Sequence, residues 1–230
     1  MTDRALQGHP DISLTVRRSS RARRITLRIS QLDGRVTLTL PKGVSEAAAV
    51  EFAEQKAEWI RKHLARRVED VAVGLGQEIP VAGKMRLIVH GTGRSVRLEE
   101  DRLCIPGAEA AVPRRVMGYL KTLARDRLAA ASDHYASRLG RSYSGISMRD
   151  TRSRWGSCSS AGRLMYSWRL VMAAPDVLNY VAAHEVAHLA QMNHSPAFWA
   201  EVTKLFGPYQ EQRQWLRTEG NALHRYRFGD

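Results

Sequence analysis

Apolar and polar residues alternate in three early runs. The first covers residues 12–17. The second covers 25–29, with Ile25, Leu27 and Ile29 on one side, and the third covers 36–40. Such alternation predicts β-strands with one buried face. Asp33-Gly34 stands between the second and third runs and predicts a hairpin. Behind Ser45 the period changes. Val50, Ala53, Ala57, Ile60 and Leu64 recur every three or four residues, the spacing of a helix with one apolar stripe, and Ser45 suits its N-cap. A second β stretch comprises 85–90, 95–99 and 102–105. Pro106-Gly107 and Pro113 then mark a boundary near residue 110. From 113 to about 138 the pattern is helical again, through Val116, Tyr119, Leu120, Leu123, Leu128 and Ala131, with Gly140 suited to its C-terminal cap. Short strands are expected over 145–149 and 164–171, and helices over about 176–192, 196–206 and 208–217. The order predicts an α+β chain: a β-rich N-terminal region with one helix (1–110), then a helical domain carrying a small antiparallel sheet (111–230).

Composition narrows the class. Of 230 residues, 43% are hydrophobic and 26% charged, which excludes a collagen-like, low-complexity or largely disordered chain. Lys and Arg number 36 against 23 Asp and Glu, a net charge of +13. That surplus fits either a polyanionic partner or a self-repelling surface. Arg17, Arg18, Arg21, Arg23, Arg24 and Arg28 form its densest segment, read either as a solvated loop or as a phosphate contact. No stretch approaches the ~20 apolar residues of a membrane span. The opening is polar, unlike a signal peptide. Cys104 and Cys158 are too far apart in sequence for a disulfide framework or a zinc ribbon. A cytoplasmic protein with no membrane partner is expected.

The chemistry concentrates in His184-Glu185-Val186-Ala187-His188. On a helix, positions i and i+4 share a face, so two imidazoles reach one ion. A zinc ion (Zn2+) held by imidazole with one open position activates water. Glu185 is the candidate general base for that water. The preceding residues 177–183 are apolar enough for a buried helix. His194 lies six residues beyond His188, so the helix must end before it. Asn193 in a left-handed turn would let the chain double back, and Ser195-Pro196 would start the next helix. Gln191 stands where a metzincin carries Gly, and no methionine follows Met192. Glu201 and Glu211 are the alternative third ligands of a gluzincin pattern.

Four segments carry a wider likeness: RWGSCSSAGRLMYSWRL (154–170), YVAAHEVAHL (180–189), NHSPAFW (193–199) and PYQEQRQWL (208–216). With PKGVS (41–45) and WIRKHL (59–64), the chain resembles the YgjP-like zinc metallopeptidases, relatives of the SprT-type minimal zincins. The resemblance implies a zincin-like domain with three ligands, His184, His188 and His194, and Glu185 as base. It also implies an edge strand around 164–170 that holds substrate in extended form. Such members often carry Asn where this chain has Ser167. Arg154, Ser167 and Trp168 are the expected substrate-contacting residues. Arg152 or Arg154 would stabilise a substrate carboxylate or oxyanion, or else hold loop carbonyls. Cys158 is read as a small buried residue, and Tyr209 and the apolar face Phe198, Trp199, Val202, Leu205 and Phe206 as packing.

The expected function is zinc-dependent hydrolysis of peptide bonds in a protein or peptide substrate, by a Glu-activated zinc-bound water. The alternative is a nucleic-acid-associated binding protein of SprT-like type, with a zinc site that is structural or acts only on DNA-bound proteins.

Overall fold

The computed structural model describes residues 2–6 (2–4 by backbone alone), 8–30, 34–65 and 69–229. It divides into two compact units, Met1–Glu69 and Asp70–Asp230. In the first, β1 (Thr2–Leu6), β2 (His9–Arg18), β3 (Thr26–Ile29) and β4 (Val36–Leu40) form a sheet in the order β1-β2-β4-β3. The β2–β4 pair is parallel and the others antiparallel. The expected 26–40 hairpin is present. Gly34 adopts φ 70° and donates its N–H to Ser30, while Asp33 lies outside the described residues. Two helices, α1 (Glu46–Gln55) and α2 (Ala57–Ala65), interrupt at Lys56 what the periodicity suggested was one. Ser45 caps α1 by accepting from the Ala48 N–H at 3.2 Å. Ile12, Leu14, Val16, Val36, Leu38 and Leu40 are buried with Val50, Ala53 and Ile60 as one core. One face of the sheet is therefore apolar and helix-covered.

The second unit begins with β5 (Val71–Ala72), β6 (Glu78–Val81), β7 (Lys84–His90), β8 (Arg97–Leu98) and β9 (Arg102–Ile105). The last four form a sheet in the order β6-β7-β9-β8. Helix α3 (Val112–Leu139) follows, ending as expected at Gly140 in the left-handed conformation. Then come β10 (Gly145–Arg149), β11 (Gly156–Cys158) and β12 (Arg163–Ser167), a 3-10 turn over Trp168–Met172, and α4 (Pro175–Ala187). Helices α5 (Pro196–Phe206) and α6 (Gln210–Thr218) and strand β13 (Tyr226–Arg227), paired with β5, complete it. The division falls at 69/70, whereas Pro106-Gly107 and Pro113 suggested a boundary near 110. Ile79, Val81, Ile88, Leu103 and Ile105 share one core with Val116, Leu120 and Leu128 of α3 and with α4, so those strands belong to the second unit. No described helix is long and apolar enough to cross a membrane.

One small sheet bears directly on the site. Its order is β10-β12-β11, with β10–β12 parallel and β11–β12 antiparallel, so it is mixed rather than antiparallel. The stretch expected to be an edge strand, 164–170, is instead the central strand followed by the 3-10 turn, and β11 forms an edge. Ser167 (0% exposed) and Trp168 (1%) are core residues, so neither presents surface to a substrate.

Arg169, 6% exposed, ties this region to the C-terminal segment. Its Nε and Nη2 donate to Asp150 at 2.7 and 3.1 Å, and Nη1 donates to the carbonyls of Leu223 and Tyr226 at 2.8 and 3.2 Å. Asp150 is 45% exposed and stays solvated without its partner, so the loss falls chiefly on the two buried carbonyls left unpaired. Arg169→Leu should lower unfolding free energy by about 2 kcal/mol in denaturant titration; a loss below about 0.5 kcal/mol contradicts this role. His224 lies beside it. Burial, then the Arg169 charge, lowers its pKa from 6.5 to about 4. The unfolded chain therefore takes up this proton first, so stability is full above pH 6.5 and falls as pH drops towards 4. His224→Gln should flatten that part of the stability profile by roughly 2–3 kcal/mol; an unchanged profile contradicts the assignment.

Candidate metal centre

Helix α4 is apolar nearly all round. Val177, Leu178, Val181, Ala182, Ala183, Val186 and Ala187 are buried, so the helix is held rigidly within the core. It ends about five residues earlier than its periodicity suggests, at Ala187, and His188 forms its C-cap with helical dihedrals (φ −63°, ψ −20°). The i, i+4 relation of His184 and His188 survives, and their ring centres are 5.1 Å apart. Tight turns follow, in which Leu189, Ala190 and Gln191 donate back to Val186 and Ala187. The reversal does not use a left-handed Asn193: Ala82 is the one described non-glycine residue with positive φ. Instead the Asn193 side chain accepts from the Ser195 N–H at 3.3 Å, an Asx-type turn that achieves the same bend. Ser195 then caps α5 by accepting from Phe198 N–H.

This path brings His194 to the other two. Its ring centre is 5.1 Å from that of His184 and 4.9 Å from that of His188. One nitrogen from each of the three residues lies within 4.8 Å of the others, the one such group among the described residues. Nε2 of His184 and Nε2 of His194 are 3.2 Å apart. Two nitrogens bound tetrahedrally at the usual ~2.0–2.1 Å zinc distance would stand about 3.3 Å apart. His188 Nδ1 lies 3.0 Å from the Gln191 carbonyl, which fixes the proton on Nδ1 and leaves Nε2 as the free donor. Burial, reinforced by its two neighbours, holds the His184 pKa near 3, and burial lowers that of His188. These imidazoles are therefore neutral, the form that binds cations. The residues present fit a single metal ion.

Phe198 forms the floor. It is fully buried, stacks on His188 at 4.4 Å and meets His184 and His194 edgewise at 4.9 and 4.8 Å. Trp199 touches His184 and His194 and stacks on Tyr209, which stacks on Tyr180. Tyr209 is thus packing, as its sequence context suggested. His194 is exposed while His188 is 8% exposed, so the centre opens on the His194 side.

Glu185 is 5% exposed and burial raises its pKa to about 8, with the Arg154 guanidinium acting in the opposite direction. It packs against Gly156, where an added Cβ would lie 2.5 Å from Oε1. Glycine is required there by this approach, not by its φ. Burial and the Glu185 charge raise the Cys158 thiol, which keeps it protonated. Glu201 and Glu211 are not brought to the three histidines; Glu201 pairs with Lys204 at 3.9 Å. Arg154 is exposed near Glu185. Arg213, which sequence reading missed, stacks its guanidinium 4.5 Å over Trp199 and adds positive charge beside His184. Its spacing on a polar helix offered no signal, because the contact joins α6 to α5.

The sequence matches the YgjP-like metallopeptidase domain over residues 23–219. The chain belongs to this family. Among solved structures, the metallopeptidase zymogen of Pyrococcus abyssi abylysin is similar, at 22% identity and a TM-score of 0.36, over 40% of this chain and 95% of that one. No curated protein matches the chain. As a YgjP-like metallopeptidase, the chain is of a metal-dependent hydrolase family, and its three convergent histidines are able to hold the metal such a family requires.

The shared floor generates a test. Phe198→Leu should leave the three rings less constrained and weaken zinc binding about tenfold to a hundredfold, measured by competition with a chromophoric chelator; an unchanged affinity contradicts the supporting role.

Proposed function

We propose that the chain is a zinc-dependent peptidase in which His184, His188 and His194 hold Zn2+ and Glu185 is the general base. The observation that carries this reading is the convergence of three imidazoles, two of them kept neutral by burial, beside a buried carboxylate. A cation held there supplies Lewis acidity, lowering the pKa of water and polarising a substrate carbonyl. Its positive charge also favours the ionised form of Glu185 against the burial that raises it.

The chain's own groups account for the remaining steps. Glu185 accepts a proton from the attacking water and delivers it to the departing amine. Its carboxylate is held by the wall at Gly156, which leaves it little freedom to turn aside. Substrate lies along β11 rather than along 164–170. The Trp155 carbonyl accepts from Ser167 N–H and the Ser159 N–H donates to Arg163, so those residues face β12. By the alternation of antiparallel ladders, Gly156 and Cys158 turn their main-chain N–H and C=O groups to the outer edge. An extended peptide adds there as a further strand. Arg154 and Arg213 provide positive charge near Glu185 and His184, able to meet a carboxylate or a developing oxyanion.

Glu185→Gln should retain one zinc per chain and lower peptide cleavage about 10²- to 10⁴-fold. Full cleavage by that variant, or loss of its metal, contradicts the assigned role. Gly156→Ala should also retain zinc yet lose at least tenfold in turnover, because the new methyl displaces the Glu185 carboxylate; wild-type turnover would refute that geometry. Both are read by metal analysis and by cleavage of an unstructured protein such as casein.

A further inference from the structure

The N-terminal unit has a face that the peptidase reading does not use. In β2, Ile12, Leu14 and Val16 point to the helices, so Ser13, Thr15 and Arg17 take the opposite face. Register places Thr37 and Thr39 of β4 beside Thr15 and Arg17, and Arg28 and Thr26 of β3 beside those threonines. The outer face is thus a sheet of Ser, Thr and Arg, in which Thr15 and Thr39 are themselves buried at 8% exposed and the arginines stand out. At its end the chain from Ser19 to Arg24 adds Arg21, Arg23 and Arg24, all exposed. Arg17 is held by donating to Thr39 Oγ1 at 3.0 Å, and Arg18 by donating to the Val44 carbonyl at 2.8 Å. None of these six arginines makes an ion pair among the described residues.

The charge is segregated rather than merely abundant. On the helical layer, Glu46, Glu51, Glu54 and Glu58 oppose Lys56, Arg61 and Lys62. Asp11, on β2 itself, is turned to α2, where Arg61 takes both carboxylate oxygens at 2.9 and 3.0 Å. Among the described side chains the helices are near balance, while these six arginines of the sheet face and its loop have no acidic partner. Net charge alone would not demand that arrangement.

We propose that the arginines of this face, Arg17 to Arg28, with the accessible Thr26 and Thr37 beside them, bind the phosphate backbone of double-stranded nucleic acid. Arg, Ser and Thr are phosphate-contacting side chains, and a cluster of cations gains by releasing the counterions condensed on a duplex. The described side chains of the face include no aromatic residue, so the base stacking on which single-strand binders rely is absent. Binding is therefore independent of sequence and stronger for duplex than for single strands. This inference stands apart from the peptidase reading, since none of its residues belongs to the metal centre.

The test uses the full chain and a labelled 25-base-pair DNA duplex of mixed sequence, followed by fluorescence anisotropy over a salt series. The quadruple variant Arg21→Gln, Arg23→Gln, Arg24→Gln, Arg28→Gln should bind at least about tenfold more weakly at low salt and lower the log–log salt slope by roughly 3–4. A control with equal charge loss elsewhere, Arg94→Gln, Arg114→Gln, Arg141→Gln, Arg217→Gln, should change both much less. If the quadruple variant melts abnormally, Arg23→Gln with Arg24→Gln should show about half the slope change. No duplex binding at low salt, equal loss in the control, a preference for single strands, or capture by phosphatidylserine vesicles without capture of DNA would each overturn the proposal.

Discussion

Three imidazoles that must meet at one point impose the strictest condition in this chain. Protonated, they would repel one another; the Nε2 atoms of His184 and His194 stand 3.2 Å apart, near enough for one to donate to the other or for both to hold one cation. The arrangement is also mechanically enforced. A buried helix fixes two rings, a bend of six residues returns the third, and Phe198 lies against all three. Burial then removes the charged state as an option for His184 and His188.

The rest of the second unit follows from that requirement. A helix apolar all round needs neighbours all round, and α3, the 3-10 turn, β11 and α5 supply them. Trp168 and Ser167 are spent on this packing. Arg169 secures the turn to the C-terminal segment through Asp150 and two carbonyls, with its guanidinium also lying 4.6 Å over Trp168. The close approach of Gly156 to Glu185 places the one buried carboxylate of the helix against a sheet edge whose main chain is open.

Much of this could be read before any coordinates. The strands at 12–17, 25–29 and 36–40, the caps at Ser45, Gly140 and Ser195, and the α+β class all follow from period and capping chemistry that act over a few residues. So does the pairing of His184 with His188, which is a property of helix geometry. His194 needed a reversal, and the reversal was legible while its means was not. An Asx turn and a left-handed residue are both open to asparagine, and only the surrounding structure selects one. Where contacts join distant segments, the pattern failed. The lone strand 164–167 carries no mark of being flanked on both sides. The apolar Trp168 reads equally as surface ligand or core. The unit boundary depends on which helix the strands of 78–105 meet, and Arg213 depends on Trp199 from another helix.

The central claim is that these three histidines bind one cation together. X-ray absorption at the zinc edge of the purified, zinc-loaded chain tests it most directly. The account predicts one zinc per chain with three imidazole nitrogens at ~2.0–2.1 Å and no sulfur neighbour near ~2.3 Å. A sulfur shell from Cys158, fewer than three imidazoles, or no stoichiometric metal would contradict it.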